Sequence, residues 1–310
     1  MPFELVGIGN PVYDTIITPW AKTEGRVLSG CSTNACLAAK KLGVKKVGLV
    51  GCIGQDFAQR FRRDMKNYGI EASMDTTGKQ TGGFHLVYDE TGNRTLDVLG
   101  VAGRITTKDF PDEFLDSRFF LIGPILGEVD LELIEFVRSS TSGKLFLDPQ
   151  GLVRMVGDDK RVIHKCNRDE FKKISRLVDF VKPNEHESEV ITNERDPVLA
   201  LRRLRELEAQ VPIVTLADRG SLLLDGDKLC RIPAYGTRAV DPTGAGDVYA
   251  GSFVTEYMRS GSIVEAALFA SAAASIMVEQ VGPDFQMTLG SVQERREAIR
   301  DRLMTESFAQ

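Results

Sequence analysis

Apolar positions along this chain alternate between two periods. KKVGLVG (45–51) is a short β-rich run. FAQRFRRDMKNYG follows it, with Phe57, Phe61 and Met65 recurring every four residues and Gly69 as a helical stop. The opening MPFELVGIGN reads as a strand, as do SRFFLIG (117–123), KLFLDPQ (144–150), LVDFVKPN (177–184) and PIVTLA (212–217). Helical spacing covers 130–139, 168–176 and 196–209, and beyond 243 the chain is nearly all helical. Strand and helix in succession predict an α/β domain, a mostly parallel sheet with helices on both faces.

Two stretches break this rhythm. NPVYDTIITPW (10–20) is extended, with Pro11 and Pro19 near its ends, and GGFHLVYDETGNRTLDVLG (82–100) alternates like a hairpin around the turn-prone ETGN. Together they predict a small β appendage standing off the main sheet. No repeat or linker marks a second independent unit, so 1–310 is expected to be one domain.

Composition narrows the function classes. A formal charge of −5 and a pI near 5.5 argue against nucleic acid or an anionic membrane as partner, so any polyanionic ligand must be held by local donors. The five cysteines (Cys31, Cys36, Cys52, Cys166, Cys230) lack paired C-x-x-C spacing, which predicts a reducing, cytoplasmic setting without disulfides or zinc. The N-terminus lacks the basic region of a signal peptide, and the longest small-apolar run, AALFASAAASIMV (266–278), is too short to span a bilayer.

Chemistry concentrates in VDPTGAGDVYAG (240–251). Closely spaced glycines at a helix start bare backbone N–H groups, and the helix dipole adds positive potential there, which makes an anion site. An aspartate beside it would repel a phosphate that was merely bound. Asp247 makes sense if a phosphoryl group in transfer sits on the amides while the carboxylate takes a proton from an incoming hydroxyl. The plainer reading is an ordinary helix start, with Thr243 capping and Asp247 complementing the dipole.

DPTGAGDVYAG resembles the C-terminal signature of the ribokinase-like (PfkB) carbohydrate kinases, a D-T-x-G-A-G-D core before a helix. SGCSTNACLAAKKLG (29–43) is similar to that family's glycine-rich N-x-A signature, although Cys36 replaces the alanine. Asn184 and Glu187 in VKPNEHE match its N-x-x-E element. VTLADRGSLL (214–223) resembles its V-T-L-G-x-x-G, with Ala217 for a glycine, and Asp14 in GNPVYD matches its N-terminal aspartate. ASAAASIMVEQVG (270–282) is similar to its A-N-A-A-A helix, with Ser271 for the asparagine. These elements occur in family order from residue 5 to about 285.

The resemblance implies a ribokinase-like three-layer α/β/α core in which 10–20 and 82–100 form a β lid, and ATP- and Mg²⁺-dependent phosphorylation of a hydroxyl. It implies Asp247 as base and Gly244, Ala245 and Gly246 as an anion hole. Asp14, Gly30 and Asn34 would hold the acceptor. Asn184, Glu187, Thr215, Asp218, Gly220 and Ser271 would serve the nucleotide side, with Glu187 reaching Mg²⁺ through water. IGPILGE and LDPQGLVR look like an archaeal and inositol-kinase-like branch, so a cyclitol such as myo-inositol, a nucleoside or a sugar is the expected acceptor. Exposed lid edges invite pairing of two lids in a homodimer.

Bland readings stand beside these. Asn184 and Glu187 could form only a capping box, Asn34 only a cap, and Asp14 could be a solvated strand residue. Arg154 is either a surface charge or a cation near the phosphates, and His85 either a packed strand residue or an acceptor contact. Two rival functions also compete. One is a sensor that binds nucleotide or sugar without catalysis. The other is a dinucleotide-dependent oxidoreductase, suggested by G-x-G in LVGIGNPV, although the third small residue and the distant acidic residue of that fingerprint are missing.

Overall fold

The computed structural model describes residues 2–90 and 94–308. Ten strands form the central sheet, in the spatial order Glu71–Asp75, Val47–Cys52, Leu5–Ile8, Phe119–Ile122, Lys144–Leu147, Phe180–Val181, Val211–Thr215, Ser221–Asp225, Lys228–Ile232 and Met304–Ser307. The first seven are parallel and the last three antiparallel.

Alternation along the parallel strands sends side chains to both faces. Leu5, Leu49, Leu121 and Phe146 join one core with the helices Cys31–Lys41, Ala58–Tyr68, Ala245–Ser260 and Ile263–Met277. Val6, Val50, Phe120 and Leu145 join the other, beneath Leu131–Ser140, Arg168–Leu177 and Pro197–Glu206. The result is three layers. Burying each such side chain stabilises the fold by about 1.5–3 kcal/mol.

A second sheet of four strands has the order Val27–Ser29, Val12–Ile17, Gly83–Tyr88, Arg94–Gly100. Its middle pair is parallel and its outer pairs antiparallel. Neither 10–20 nor 82–100 enters the central sheet; of the ETGN turn, residues 91–93 lie outside the described residues. Val12, Ile16, Phe84, Leu86 and Tyr88 point to one face and pack on Cys31 and Ile125.

Several boundaries differ from the sequence pattern. The strand expected at 144–150 stops at Leu147, because Asp148 accepts the Gln150 amide and turns Pro149–Leu152 into a short 3-10 helix. The 177–184 strand shrinks to Phe180–Val181. The chain beyond 243 is not all helix, since Met304–Ser307 returns as an edge strand. A hairpin of Arg154–Val156 and Val162–His164 was not anticipated, its three-residue arms being too short to show a period.

Candidate active site

Parallel strands place all their carboxyl ends on one edge of the sheet. Strand order reverses between Leu5–Ile8 and Phe119–Ile122, the switch point where open α/β sheets bind ligands. Asp148 and Lys182 follow directly on two neighbouring strands at that edge.

The helix Ala245–Ser260 starts there from Gly244, which sits in the left-handed region at φ +83°. A Cβ at Gly244 would also lie 2.9 Å from Asn34 Nδ2, so conformation and space both require glycine. Among the described residues, no side chain caps this helix. Thr243, the capping residue of the plainer reading, instead donates its hydroxyl to the Tyr88 hydroxyl at 3.0 Å. The Ala245 amide is committed to the Pro242 carbonyl at 3.2 Å. Among the described residues, the amides of Gly244, Gly246 and Asp247 have no partner, so Gly244 and Gly246 of the expected trio are bare and Asp247 takes the place of Ala245.

Asp247 is fixed from two sides. Asn34 Nδ2 donates to Oδ2 at 2.9 Å and Gln150 Nε2 donates to Oδ1 at 3.2 Å. Asn34 lies inside Cys31–Lys41, whose N-cap is Gly30, and its amide reaches across to the other helix instead of capping its own. Beneath the turn is a buried ion pair, Lys182 Nζ to Asp148 Oδ2 at 2.8 Å, and Lys182 Nζ lies 3.3 Å from where a Gly246 Cβ would stand. Burial pulls the Lys182 pKa down, but the Asp148 and Glu187 carboxylates outweigh it and hold the ammonium charged. The sequence reading missed Gln150, Asp148, Lys182 and Tyr88. A faint signal existed, since LDPQ and VKPN each place a polar residue right after an apolar strand.

Asn184 and Glu187 do form a capping box. Asn184 Oδ1 accepts the Glu187 amide at 2.8 Å, and Glu187 Oε2 accepts the Asn184 amide at 3.0 Å. Glu187 Oε1 is left facing the Arg154 guanidinium at 3.8 Å. Thr215 bridges to Asn184 through the backbone. Gly220 (φ +89°) passes so close to the next strand that a Cβ would meet the Ile232 carbonyl at 2.0 Å. Ser271 donates to the Pro233 carbonyl at 2.7 Å, so Gly220 and Ser271 converge on one segment. Asp218 lies in the exposed turn Ala217–Arg219 between them and Thr215.

The four-stranded sheet closes over this edge. Asp14, 3% exposed, accepts the Phe84 amide at 2.7 Å. Burial raises its pKa to about 6, opposed by the bonds from Phe84 and Ser29. His85 points to the opposite face and bonds Thr15 at 2.6 Å, which removes it from Asp14's side. Thr18 donates to the Val240 carbonyl at 2.9 Å, and with Thr243–Tyr88 this ties the sheet to the glycine turn. A cavity of about 390 Å³ opens beside Val12, Phe84, Ile125 and Leu126. Of its polar residues, Glu128 accepts the amides of Asn10, Ile125 and Leu126 at 3.0, 2.7 and 2.7 Å, while the exposed Arg104 guanidinium stands 3.8 Å from Asp130.

Comparison with known proteins identifies the family and the fold. Residues 20–288 match the pfkB family carbohydrate kinases. The chain is 29% identical to a cytidine kinase of Thermococcus kodakarensis, over 84% of this chain and 91% of that protein. It is 27% identical to a nucleoside kinase of Methanothermobacter thermautotrophicus, over 90% of each chain. In fold it is similar to a pyrophosphate-dependent kinase of the ribokinase family (TM-score 0.80, 21% identity, 95% of this chain and 100% of that one). The ribokinase of Thermotoga maritima is likewise similar (TM-score 0.76, 22% identity, 95% and 99%). This chain, with its ribokinase fold, belongs to the pfkB family of carbohydrate kinases.

Proposed function

We propose that this kinase moves the terminal phosphoryl group of ATP onto a hydroxyl of a neutral acceptor, with Asp247 as general base. The observation that carries the reading is Asp247 held by Asn34 and Gln150 at the mouth of a helix without a side-chain cap, where the Gly244, Gly246 and Asp247 amides are bare among the described residues. A hydroxyl set against Asp247 gives up its proton as it attacks. The amides of Gly244 and Gly246, with the Lys182 ammonium beneath them, receive the developing negative charge. Glu187 Oε1, without a hydrogen bond among the described residues, fits a water-mediated contact to Mg²⁺, which would supply further charge neutralisation when bound. Thr215, Asp218, Gly220 and Ser271 would then flank the nucleotide. The five free cysteines suit a reducing cytoplasm.

Asp14 would accept two hydroxyls of the acceptor, and Gly30 and Asn34 would close its other side. The four-stranded sheet is then the lid. A nucleoside is the acceptor that the cavity favours. It continues from Val12 and Phe84, next to Asp14, and is lined mostly by glycines and apolar side chains, with Glu128 paired to backbone amides. Such a wall suits a flat base. The names of the cytidine and nucleoside kinases point the same way.

The test is acceptor-dependent release of ADP or phosphate with cytidine, adenosine, ribose and myo-inositol, each run with Mg-ATP and with Mg-pyrophosphate. Turnover with a nucleoside and ATP is expected. Binding of nucleotide without any acceptor-dependent turnover would favour the sensor instead.

A further inference from the structure

Cys31 is the first residue of the helix Cys31–Lys41 and is fully buried, joining the cluster of Val12, Phe84 and Ile125 beneath the four-stranded sheet. A small filler needs only apolar neighbours. The Cys31 Sγ instead lies within 4.8 Å of a carboxylate oxygen of Asp148 and of one of Asp247, and those two oxygens lie as close to each other. Among the described residues, no other three ligand atoms of Cys, His, Asp or Glu come so near together. One arrives from the start of a helix, one from the end of the strand Lys144–Leu147 and one from the glycine turn, so no spacing in the sequence announces the set.

The charges around the sulfur favour a cation. Burial, then Asp148, then Asp247 push the Cys31 pKa well above the usual thiol range, while Lys182 and the Gln150 side chain oppose them and weigh less. Arg94 and Arg154 also act on Asp247, and Glu187 answers both. Asp148 is bonded by Lys182 at 2.8 Å and by the Gln150 amide at 3.3 Å, and Asp247 by Asn34 and Gln150 at 2.9 and 3.2 Å. A carboxylate accepts about four bonds, so each keeps lone pairs for a metal. One sulfur and two carboxylate oxygens are a poor set for Mg²⁺, which takes oxygen ligands in octahedral order. They suit Zn²⁺ or its thiophilic analogue Cd²⁺, with a fourth position left to water.

We propose that Cys31, Asp148 and Asp247 form an inhibitory site for a thiophilic divalent cation such as Zn²⁺. On binding, the S–H bond breaks, a sulfur–metal bond forms and the proton leaves to solvent. Asp247, once a metal ligand, no longer takes a proton from a hydroxyl. The site itself stands without the kinase reading; only the inhibition rests on it.

The experiment titrates parent, Cys31→Ser and Asp247→Asn with Cd²⁺ and Zn²⁺ in the absence of nucleotide. Calorimetry reads affinity, and the ultraviolet thiolate-to-cadmium charge-transfer band reads the sulfur. The parent should take up one Cd²⁺ and show the band. Cys31→Ser should lose the band and bind at least about 10–100-fold more weakly, the loss seen when even a supporting group of a metal site is removed. Asp247→Asn should keep the band at an affinity lowered by about 10-fold or more. Free Zn²⁺ should abolish acceptor-dependent turnover of the parent, reversibly on chelation, and leave Cys31→Ser at its own metal-free rate. A parent without the band at saturating Cd²⁺ overturns the proposal. A band that persists in Cys31→Ser comes from another cysteine, Cys166 being the half-buried one, and overturns it too. If Cys31→Ser does not fold, parental affinity in Asp247→Asn does the same. Undiminished turnover in a parent that has bound metal through Cys31 removes the inhibitory role. A parent that lacks turnover even without metal, yet binds Cd²⁺ through Cys31, keeps the metal site and loses the kinase reading.

Discussion

Asp247 has both its oxygens held by neutral amide groups, from Asn34 and Gln150, and its neighbour Gly246 stands over the buried Lys182–Asp148 pair. Neutral donors orient a carboxylate without consuming its charge, which is the arrangement a base needs. Asp247→Asn keeps the shape and removes the proton acceptor. Turnover should fall by roughly 10²–10⁴-fold, while calorimetric affinities for donor and acceptor change little. A purely structural Asp247 would give the reverse pattern: a lowered melting temperature, with the turnover of the folded fraction within a few-fold of the parent. At the same scale, Asn184 and Glu187 form the capping box, which leaves the proposed role of Glu187 to its other oxygen. The box is made with Glu187 Oε2, and Oε1 is left over.

Among elements, the four-stranded sheet carries Asp14, through which an effect of pH is expected. Asp14 is raised by burial from 3.8 to about 6. An acid whose folded pKa is raised gives stability that is fully present below about pH 4 and lost as pH rises through about 6. Asp14→Asn removes that loss, so its melting temperature should gain on the parent's more at pH 8 than at pH 4. Binding runs the other way. The ionised carboxylate is the form that accepts two hydroxyls, so acceptor affinity of the parent should fall as pH drops below about 6, and that fall should be absent in the variant. Equal pH profiles for parent and variant would remove Asp14 from the acceptor site.

At the scale of the whole molecule, the open question is what covers the four-stranded sheet. One edge, Arg94–Gly100, is partly capped, because Val98 donates to the Lys160 carbonyl at 3.1 Å and Asp97 bridges to Arg161. The other edge, Val27–Ser29, is three residues long. Edge pairing is therefore limited, but Leu99, Val101, Met155 and Ile163 leave 44–50% of their surface exposed. Apolar patches of this kind mark contact surfaces, and we propose a homodimer formed through them. Sedimentation should show a dimer that Leu99→Glu with Ile163→Glu converts to a monomer of unchanged fold; a monomeric parent at assay concentration ends the idea.

The one-dimensional pattern determined the succession of strands and helices, the two segments that leave the main sheet, and the glycine turn before Asp247. Each is written in local spacing, or in a residue type that a local conformation demands, as glycine is at φ +83°. It did not determine the short arms at 154–164, nor the return of 304–307 to the sheet edge, because three or four residues carry too little period and pair with distant partners. Partners were likewise invisible. Gln150 lies 97 residues from Asp247 and Asn34 lies 213, while Tyr88 is 155 from Thr243. Only the parallel sheet, by gathering the carboxyl ends of its strands on one edge, sets these side chains within bonding distance. The same folding buries Arg154 and leaves its Nε without an acceptor among the described residues. Sequence alone could describe it as a charge at the surface or near phosphate, and burial decided against the surface.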